Sequence, residues 1–292
     1  MESKERLKVD RYIAILGEMQ ELGSGFSNFV YELPHGHVRR VPRTPEARAA
    51  CLRECRFLPR LAVHLPVSIP VPFNCNGAMT YRKLKGEPLR PDMLQKMDMA
   101  QIAADIAAFM GALHRISVPT ALHWGMPAVS RTAQLLAAAD RVLPLIPAHW
   151  RRSALAWREQ FMEMPHPNVP IHGDLWYENI LIDPQSGRVS GVLDFDAACI
   201  GDPAWDLATQ FHSGRAFAEL VFKAYPVKDA SIWALAEALF RLRPFEGLDW
   251  ALQYKDVAEF EDSLKKLQEV GVLPEAGIIR TTTAPWLGTV AE

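Results

Sequence analysis

The stretch Ile171-His172-Gly173-Asp174-Leu175-Trp176-Tyr177-Glu178-Asn179-Ile180-Leu181-Ile182-Asp183, followed by Ser190-Gly191-Val192-Leu193-Asp194-Phe195-Asp196, constrains this chain more than any other. The first part reads as a tight polar loop running into a short apolar strand. The second is another apolar strand ending in an acid. Gly187 stands in the turn between them, so the two strands are expected to form a hairpin. That hairpin brings Asp174, Asn179 and Asp194 to one end of a small sheet. Taken singly, Asp and Asn residues usually only build turns. Together at a strand end they meet the needs of phosphoryl transfer. One carboxylate orients the attacking hydroxyl, while the Asn and the other carboxylate hold magnesium against a triphosphate.

The 292 residues suffice for one large domain or two lobes with a substantial core. A hydrophobic fraction of 49% and a charged fraction of 23% place the chain with soluble globular proteins. The net charge of -2 supplies no global attraction to nucleic acid or anionic membrane, so neither is expected as a partner. Met1 to Arg6 lead into no signal-peptide core, and no uncharged apolar run is long enough to span a bilayer. The longest candidate, Ile102 to Leu113, contains Asp105. A cytoplasmic monomer is expected. Cys51 and Cys55 can share a helix face, but no His or Cys pair at zinc-like spacing completes a metal site. Free, buried or half-buried thiols are therefore expected at Cys51, Cys55, Cys75 and Cys199.

Along the chain, Val9 to Leu16 reads as a short helix. Met19 to Leu33 reads as strand, glycine turn, strand. Gly23 and Gly25 would let backbone amides approach phosphate oxygens, although Gly-Ser-Gly alone also describes an ordinary hairpin. His37 to Arg43 forms a third strand with Val38 and Arg40 on one face. A helix is expected from Pro45 to Leu61, with Glu46 in its first turn and Leu52, Cys55, Phe57, Leu58 and Leu61 on its buried face. A proline-rich stretch leads to a strand over Ala78 to Arg82. Ile102, Ile106, Phe109 and Leu113 stripe a helix that ends at His114-Arg115. Ser130 caps a helix running to Val142, and Trp150, Ala154, Trp157 and Phe161 mark another. Asp202 is a suitable N-cap with Pro203 at the first helical position. The remainder to about Leu267 is helical, with Ser231 as one cap. Phe240 to Phe260 mixes aromatics with acids, which describes either a solvated helical face or part of a cleft for a polycationic ligand. The tail from Thr281 to Glu292 is expected to be loosely held. There is no internal repeat, low-complexity tract or interdomain linker.

The spacing His172-Gly173-Asp174-x4-Asn179, with the distal Asp194-Phe195-Asp196, resembles the aminoglycoside phosphotransferases and their relatives. These are small-molecule kinases with a protein-kinase-like fold, and the spacing parallels the loop and metal-site motifs of protein kinases. The resemblance runs from the glycine loop through Asp206. It implies an α+β, bilobal protein-kinase-like fold. Residues 1–82 would form a small N-lobe of antiparallel sheet plus helix, and residues 83–292 a larger, mostly helical C-lobe, with a hinge at about 80–86. It implies Asp174 as the catalytic carboxylate, Asn179 and Asp194 as Mg2+ ligands, and ATP or GTP as donor. Gly23, Ser24, Gly25 and Ser27 would cover the phosphates. Arg40 stands where the family places a Lys that holds them, and Glu54 would hold Arg40. A solvated edge-strand Arg and a surface Glu are the alternatives for that pair. Thr80, Tyr81, Arg82 and Lys83 would line the base slot.

His172, Asp202 and Asp206 would be structural supports, Asp206 through hydrogen bonds to the backbone of the polar loop. His114 is read as structural too. Glu178, Glu246, Asp249 and Trp250 are candidate substrate contacts. The layout around Val38 to Pro42 and Leu84 to Glu87 looks most like the aminoglycoside 2''-phosphotransferases, which makes an aminoglycoside antibiotic the first choice of acceptor. The macrolide phosphotransferases are near rivals, but usually place His where Asn179 stands. A metabolic small-molecule kinase and a non-catalytic, kinase-like nucleotide-binding protein are further readings. Asp196 in place of the Asp-Phe-Gly glycine, and the lack of an Ala-Pro-Glu segment, argue against a protein kinase.

Overall fold

The computed structural model describes residues 20–24, 27–146, 148–164 and 167–274. The helix expected over Val9 to Leu16, Gly25 of the glycine turn and the tail from Thr281 lie outside these residues. Gln20–Ser24 (β1), Asn28–Leu33 (β2), His37–Pro42 (β3), Pro72–Asn74 (β4) and Met79–Arg82 (β5) form a five-stranded sheet in the order β1-β2-β3-β5-β4. Every pairing within it is antiparallel. Pro45–Leu61 (α1) packs on the sheet between β3 and β4 and starts on Thr44, whose Oγ1 accepts from Ala47 N at 3.1 Å.

The face of α1 differs from the sequence expectation in two places. Leu52 is 44% exposed, and its place on the inner face is taken by Glu54, which is 1% exposed. A buried carboxylate is stable there only because Arg40 on β3 meets it. Cys55 and Cys75 form a disulfide rather than two free thiols, while Cys51 and Cys199 are free and buried. The separation of 20 residues carries no pairing signal. The bond exists because α1 packs beside the β4–β5 hairpin.

Glu87–Pro88 (β6) opens the C-terminal part. Met99–His114 (α2), Val118–Trp124 (α3), Arg131–Val142 (α4) and Ala148–Met162 (α5) follow. Then come Val169–Ile171 (β7), Ile180–Ile182 (β8), Val189–Val192 (β9) and Cys199–Gly201 (β10). Ala204–Ala208 (α6), Arg215–Ala224 (α7), Ala230–Leu242 (α8), Pro244–Tyr254 (α9) and Val257–Glu269 (α10) complete the described chain. The expected stripe of α2 is its core face, with Ile102, Ile106, Phe109 and Leu113 at most 1% exposed. Burying each contributes roughly 1.5–3 kcal/mol, against about 1 kcal/mol for a cap such as Asp98, so packing rather than capping holds this helix. Ser130 caps α4 as expected, with Ala133 N donating to its Oγ at 3.1 Å. The cap of α8 is Asp229, not Ser231, whose backbone N donates to Asp229 at 2.8 Å.

The hairpin expected around Gly187 (φ 69°) is present, because β8 and β9 pair antiparallel and β6 extends them into a three-stranded sheet. β7 and β10 pair separately. The connection from β5 to β6 passes close over this hairpin. A Cβ on Gly86 would lie 2.4 Å from Ser190 Oγ and 2.7 Å from Ile182 O, so only glycine lets the chain through. No helix among the described residues is long and apolar enough to cross a membrane.

Candidate active site

Asn179 ends the polar loop immediately before β8, and Asp194 follows β9 by two residues. The hairpin brings them to the same end, where Leu193 N donates to Asn179 O at 2.8 Å. Asp194 has φ 57°, a left-handed conformation costly for a residue with a Cβ and held here by its surroundings. The Asn179 side-chain amide reaches back to Asp174, donating to its backbone O at 2.9 Å and its Oδ2 at 3.3 Å. Asp174, Asn179 and Asp194 thus converge as the sequence expectation required.

The loop is braced from below. Asp206 on α6 accepts from His172 N at 2.9 Å, Gly173 N at 2.7 Å and His114 Nε2 at 3.0 Å. Burial disfavours its charge, but these donors outweigh that and hold its carboxyl below the usual range. With Nε2 donating, His114 Nδ1 accepts from Tyr225 Oη at 2.7 Å. The His172 ring ties the loop to β9 by donating Nε2–H to Leu193 O at 2.8 Å, and it packs on Phe195. Gly173 (φ 79°) lets the loop run 2.5 Å (Cβ position) from Ala197 O. Thr209 and Gln210, buried residues not singled out from the sequence, both donate to Leu175 O. Asp202 accepts from Ala204 N at 2.8 Å, and burial pushes its carboxyl up to about 7. The helix begins one residue after the expected Pro203.

On the sheet side, Arg40 gathers carboxylates from both parts of the molecule. Its Nη1 donates to Glu54 at 2.9 Å, and its Nη2 to Asp194 at 3.0 Å and Asp196 at 2.7 Å. Arg40 is 6% exposed, so it is neither an edge-strand charge nor solvated. Burial holds the Glu54 carboxyl well above its usual range against the opposing pull of Arg40. The hard oxygen donors of Asn179 and the half-exposed Asp194 suit magnesium, which is typically held by one or two carboxylates together with phosphates and water. Among the described residues no three His, Cys, Asp or Glu form an all-protein metal cage. A buried acceptor beside this cluster, Asn28 Oδ1, takes no hydrogen bond from the described residues, which also fits an arriving cation or donor.

On the other side of Asp174, Arg243 Nη2 lies 3.4 Å from Asp174 Oδ1. Arg243 also lines a cavity of about 420 Å3 between α8, α9 and α10, floored by Phe211 and Phe240, whose rings stack at 5.2 Å. Glu246, Glu259 and Glu269 line it together with Lys266. Desolvation by the walls, then Arg243 and Lys266, push the His212 imidazole down to about 4, an effect moderated at its solvent-open edge.

Of the substrate candidates, the structure brings only Glu246 to this cavity. Asp249 is buried in an ion pair with Arg141, both contacts at 2.7 Å, and also accepts from Gln253. Trp250 packs on Tyr254 with centroids 4.8 Å apart, and Glu178 is exposed on the polar loop. Arg243 was not singled out in sequence; nothing but its place before Pro244 marks it. Among the base-slot candidates, Thr80 and Tyr81 are buried in the sheet, and burial pushes the Tyr81 phenol up to about 12. Arg82 is exposed, and Lys83 uses its backbone N–H on Gly36 O at 2.8 Å and its ammonium on Glu32 at 2.7 Å. Gly23 and Ser24 close β1, and Ser27 N-terminally flanks β2.

Residues 18–245 match the phosphotransferase enzyme family APH, and the chain belongs to that family. Its enzymes transfer phosphate to hydroxyl groups. The viomycin phosphotransferase of Streptomyces vinaceus is 29% identical over 161 residues, which span 50% of this chain and 56% of that relative. The chain thus aligns with little more than half the length of this curated relative. Among solved structures, the GDP and kanamycin complex of the aminoglycoside phosphotransferase APH(2'')-IIIa superposes with a TM-score of 0.80 at 22% identity, covering 87% of this chain and 93% of that one. The macrolide 2'-phosphotransferase MphH of Brachybacterium faecium, an apoenzyme, superposes at 0.70 with 24% identity, covering 89% and 93%. These likenesses establish the fold: an N-terminal antiparallel sheet and a helical C-terminal part of the kinase-like phosphotransferase type.

Proposed function

We propose that this chain transfers the γ-phosphoryl group of ATP or GTP to a hydroxyl of an antibiotic, with an aminoglycoside as the first choice of acceptor. The observation that carries the reading is the position of Asp174. Its carboxylate lies between Asn179, at the end of the β8–β9 hairpin, and Arg243, at the mouth of the aromatic-floored cavity. Asp174 would orient the acceptor hydroxyl and take its proton. Arg40 would hold the phosphates in a plane set by Glu54, and the β1–β2 turn, with Gly23, Ser24, Gly25 and Ser27, would cover them. Asn179 and Asp194 would hold Mg2+, which supplies charge neutralisation on the transferring group. Positioning and charge stabilisation account for most of the acceleration in such a reaction. The lobes would divide near residue 82, with the hinge at 80–86. Because the Lys83 N–H is spent on Gly36 O, base recognition falls to Leu84 and its neighbours, together with the buried Tyr81.

The cavity's three glutamates outnumber its two cations, Arg243 and Lys266, and this net acidic lining favours a cationic acceptor. The stacked Phe211 and Phe240 on the floor favour the second reading, a macrolide, which would use an apolar surface. A nucleotide-consumption screen with ATP and with GTP, against aminoglycosides, viomycin and macrolides, separates them. Aminoglycoside-dependent turnover is expected, and turnover only with macrolides overturns the first choice. With the acceptor found, Asp174→Asn should lose turnover by roughly 10²–10⁴-fold while binding nucleotide normally. Near-normal turnover in that variant would sink the assignment of Asp174.

A further inference from the structure

Asp196 takes no part in the reaction just described, and it stands where protein kinases have the glycine of Asp-Phe-Gly. Its carboxylate joins the N-terminal sheet to the C-terminal part at two points. Oδ1 accepts from Arg40 Nη2 at 2.7 Å, and Oδ2 accepts from Asn28 Nδ2 at 3.0 Å. Asn28 opens β2, directly after the turn assigned above to the phosphates, and is 6% exposed. Arg40 lies one strand over, opposite Val30. The Asn28–Asp196 contact therefore spans from the covering turn to the segment that carries Asp194. A glycine at 196 makes neither contact. A lysine at 40 presents a point charge, whereas the planar guanidinium fork serves Glu54, Asp194 and Asp196 at once. The two departures from the kinase pattern, Arg for Lys and Asp for Gly, are thus in direct contact.

We propose that Asp196 is a positioning residue that clasps β2 and Arg40 to the segment after β9, and that Arg40 and Asp196 act as one pair in place of Lys and Gly. The proposal rests on the nucleotide-donor reading above. Asp196 balances the pull of Asp194 on the shared Nη2, which keeps the guanidinium plane fixed instead of collapsing onto the residue assigned to the metal. The pair fixes the donor side only, so its loss acts on nucleotide affinity before it acts on the acceptor.

The test is titration of GDP and ADP, with Mg2+, into the full-length wild type and the variants Asp196→Gly, Asp196→Asn, Asn28→Ala, Arg40→Lys and Arg40→Lys/Asp196→Gly, each checked by thermal melting. Asp196→Gly is expected to weaken nucleotide binding about tenfold, the scale of a hydrogen bond to a charged group. Asn28→Ala should weaken it about threefold, and Asp196→Asn, which keeps an acceptor for Asn28, should fall between. The double variant should bind only about threefold more weakly than Arg40→Lys alone, the share of the Asn28 contact, because removing Arg40 already ends its pairing with Asp196. Acceptor KM should stay within twofold of wild type in Asp196→Asn while nucleotide KM rises. If Asp196→Gly binds nucleotide within about twofold of wild type, or the single losses multiply in the double variant, the pair is refuted. If Asp196→Gly does not fold, Asp196→Asn and Asn28→Ala decide by the same criterion. A wild type that binds neither nucleotide overturns the donor reading itself, and the clasp with it.

Discussion

On the sheet side of Asp174, Arg40 is 6% exposed and reaches three carboxylates at 2.7–3.0 Å; on the helical side, Arg243 reaches Asp174 at 3.4 Å and Glu246 at 3.7 Å. The first guanidinium is buried by strands and a helix that leave it one arrangement. The second lines an open cavity whose walls come from three separate helices. Buried charges are stable only when their partners are in place, so the Arg40 cluster tolerates little change. Longer contacts that are partly open to solvent cost little to rearrange, so the Arg243 side can shift without disturbing the Arg40 cluster.

The comparison breaks most visibly at the brace beneath the loop. Asp206→Ala leaves the His172 and Gly173 amides and the His114 ring without their acceptor, in a site with no water access to replace it. Removing one partner of such a buried charged network costs roughly 3–5 kcal/mol. Thermal melting should show a fall of about 10 °C or more, or no folded protein. A fall of a degree or two would mean that the loop is held by β7 and β8 alone. Arg243→Ala is the intermediate case. Acceptor KM should rise roughly twofold to fivefold, the scale of an ion pair that is partly open to solvent, with nucleotide affinity unchanged. An equal loss in nucleotide affinity would show that the two sides are not independent.

The smallest effect is a pH dependence. Burial raises the Asp202 carboxyl from its ordinary value of 3.8 to about 7. Between those values the folded chain holds a proton that the unfolded chain has released, so this group's contribution to stability falls as pH rises. It is fully present below about 4 and lost above about 7. Melting temperature measured at pH 5 and pH 8 should therefore fall less steeply with pH in Asp202→Asn than in the wild type. Parallel slopes would place the Asp202 carboxyl near its ordinary value.

Much of the cluster of Asp174, Asn179, Asp194 and Arg40 was legible in the sequence because its residues are close in the chain or locked to elements with clear periodicity. Asp174 and Asn179 are five apart, and Asp194 follows one hairpin later. Arg40 was legible because alternation along β3 sets it on one face with Val38, whereas Glu54 on α1 was expected only from the family resemblance. Leu52 was misplaced on that helix since periodicity alone cannot tell that Glu54, an acid, takes the inner face when a buried arginine waits for it. The Cys55–Cys75 bond was invisible for the same reason: it depends on how a helix packs against a hairpin. Asp249 looked like a cleft acid because the sequence shows its charge but not Arg141, whose fork lies 108 residues away in the chain and binds it at 2.7 Å.

The sequence by itself determined the reaction class, since short-range spacing on a strand hairpin brings Asp174, Asn179 and Asp194 to one end of a sheet. Tertiary structure alone decided what surrounds them. It placed Asn28 and Arg40 on Asp196, Arg243 on Asp174, and Thr209 and Gln210 under Leu175. Such contacts join residues tens to more than a hundred positions apart, and they form only when burial of the core has fixed the strands and helices that carry them.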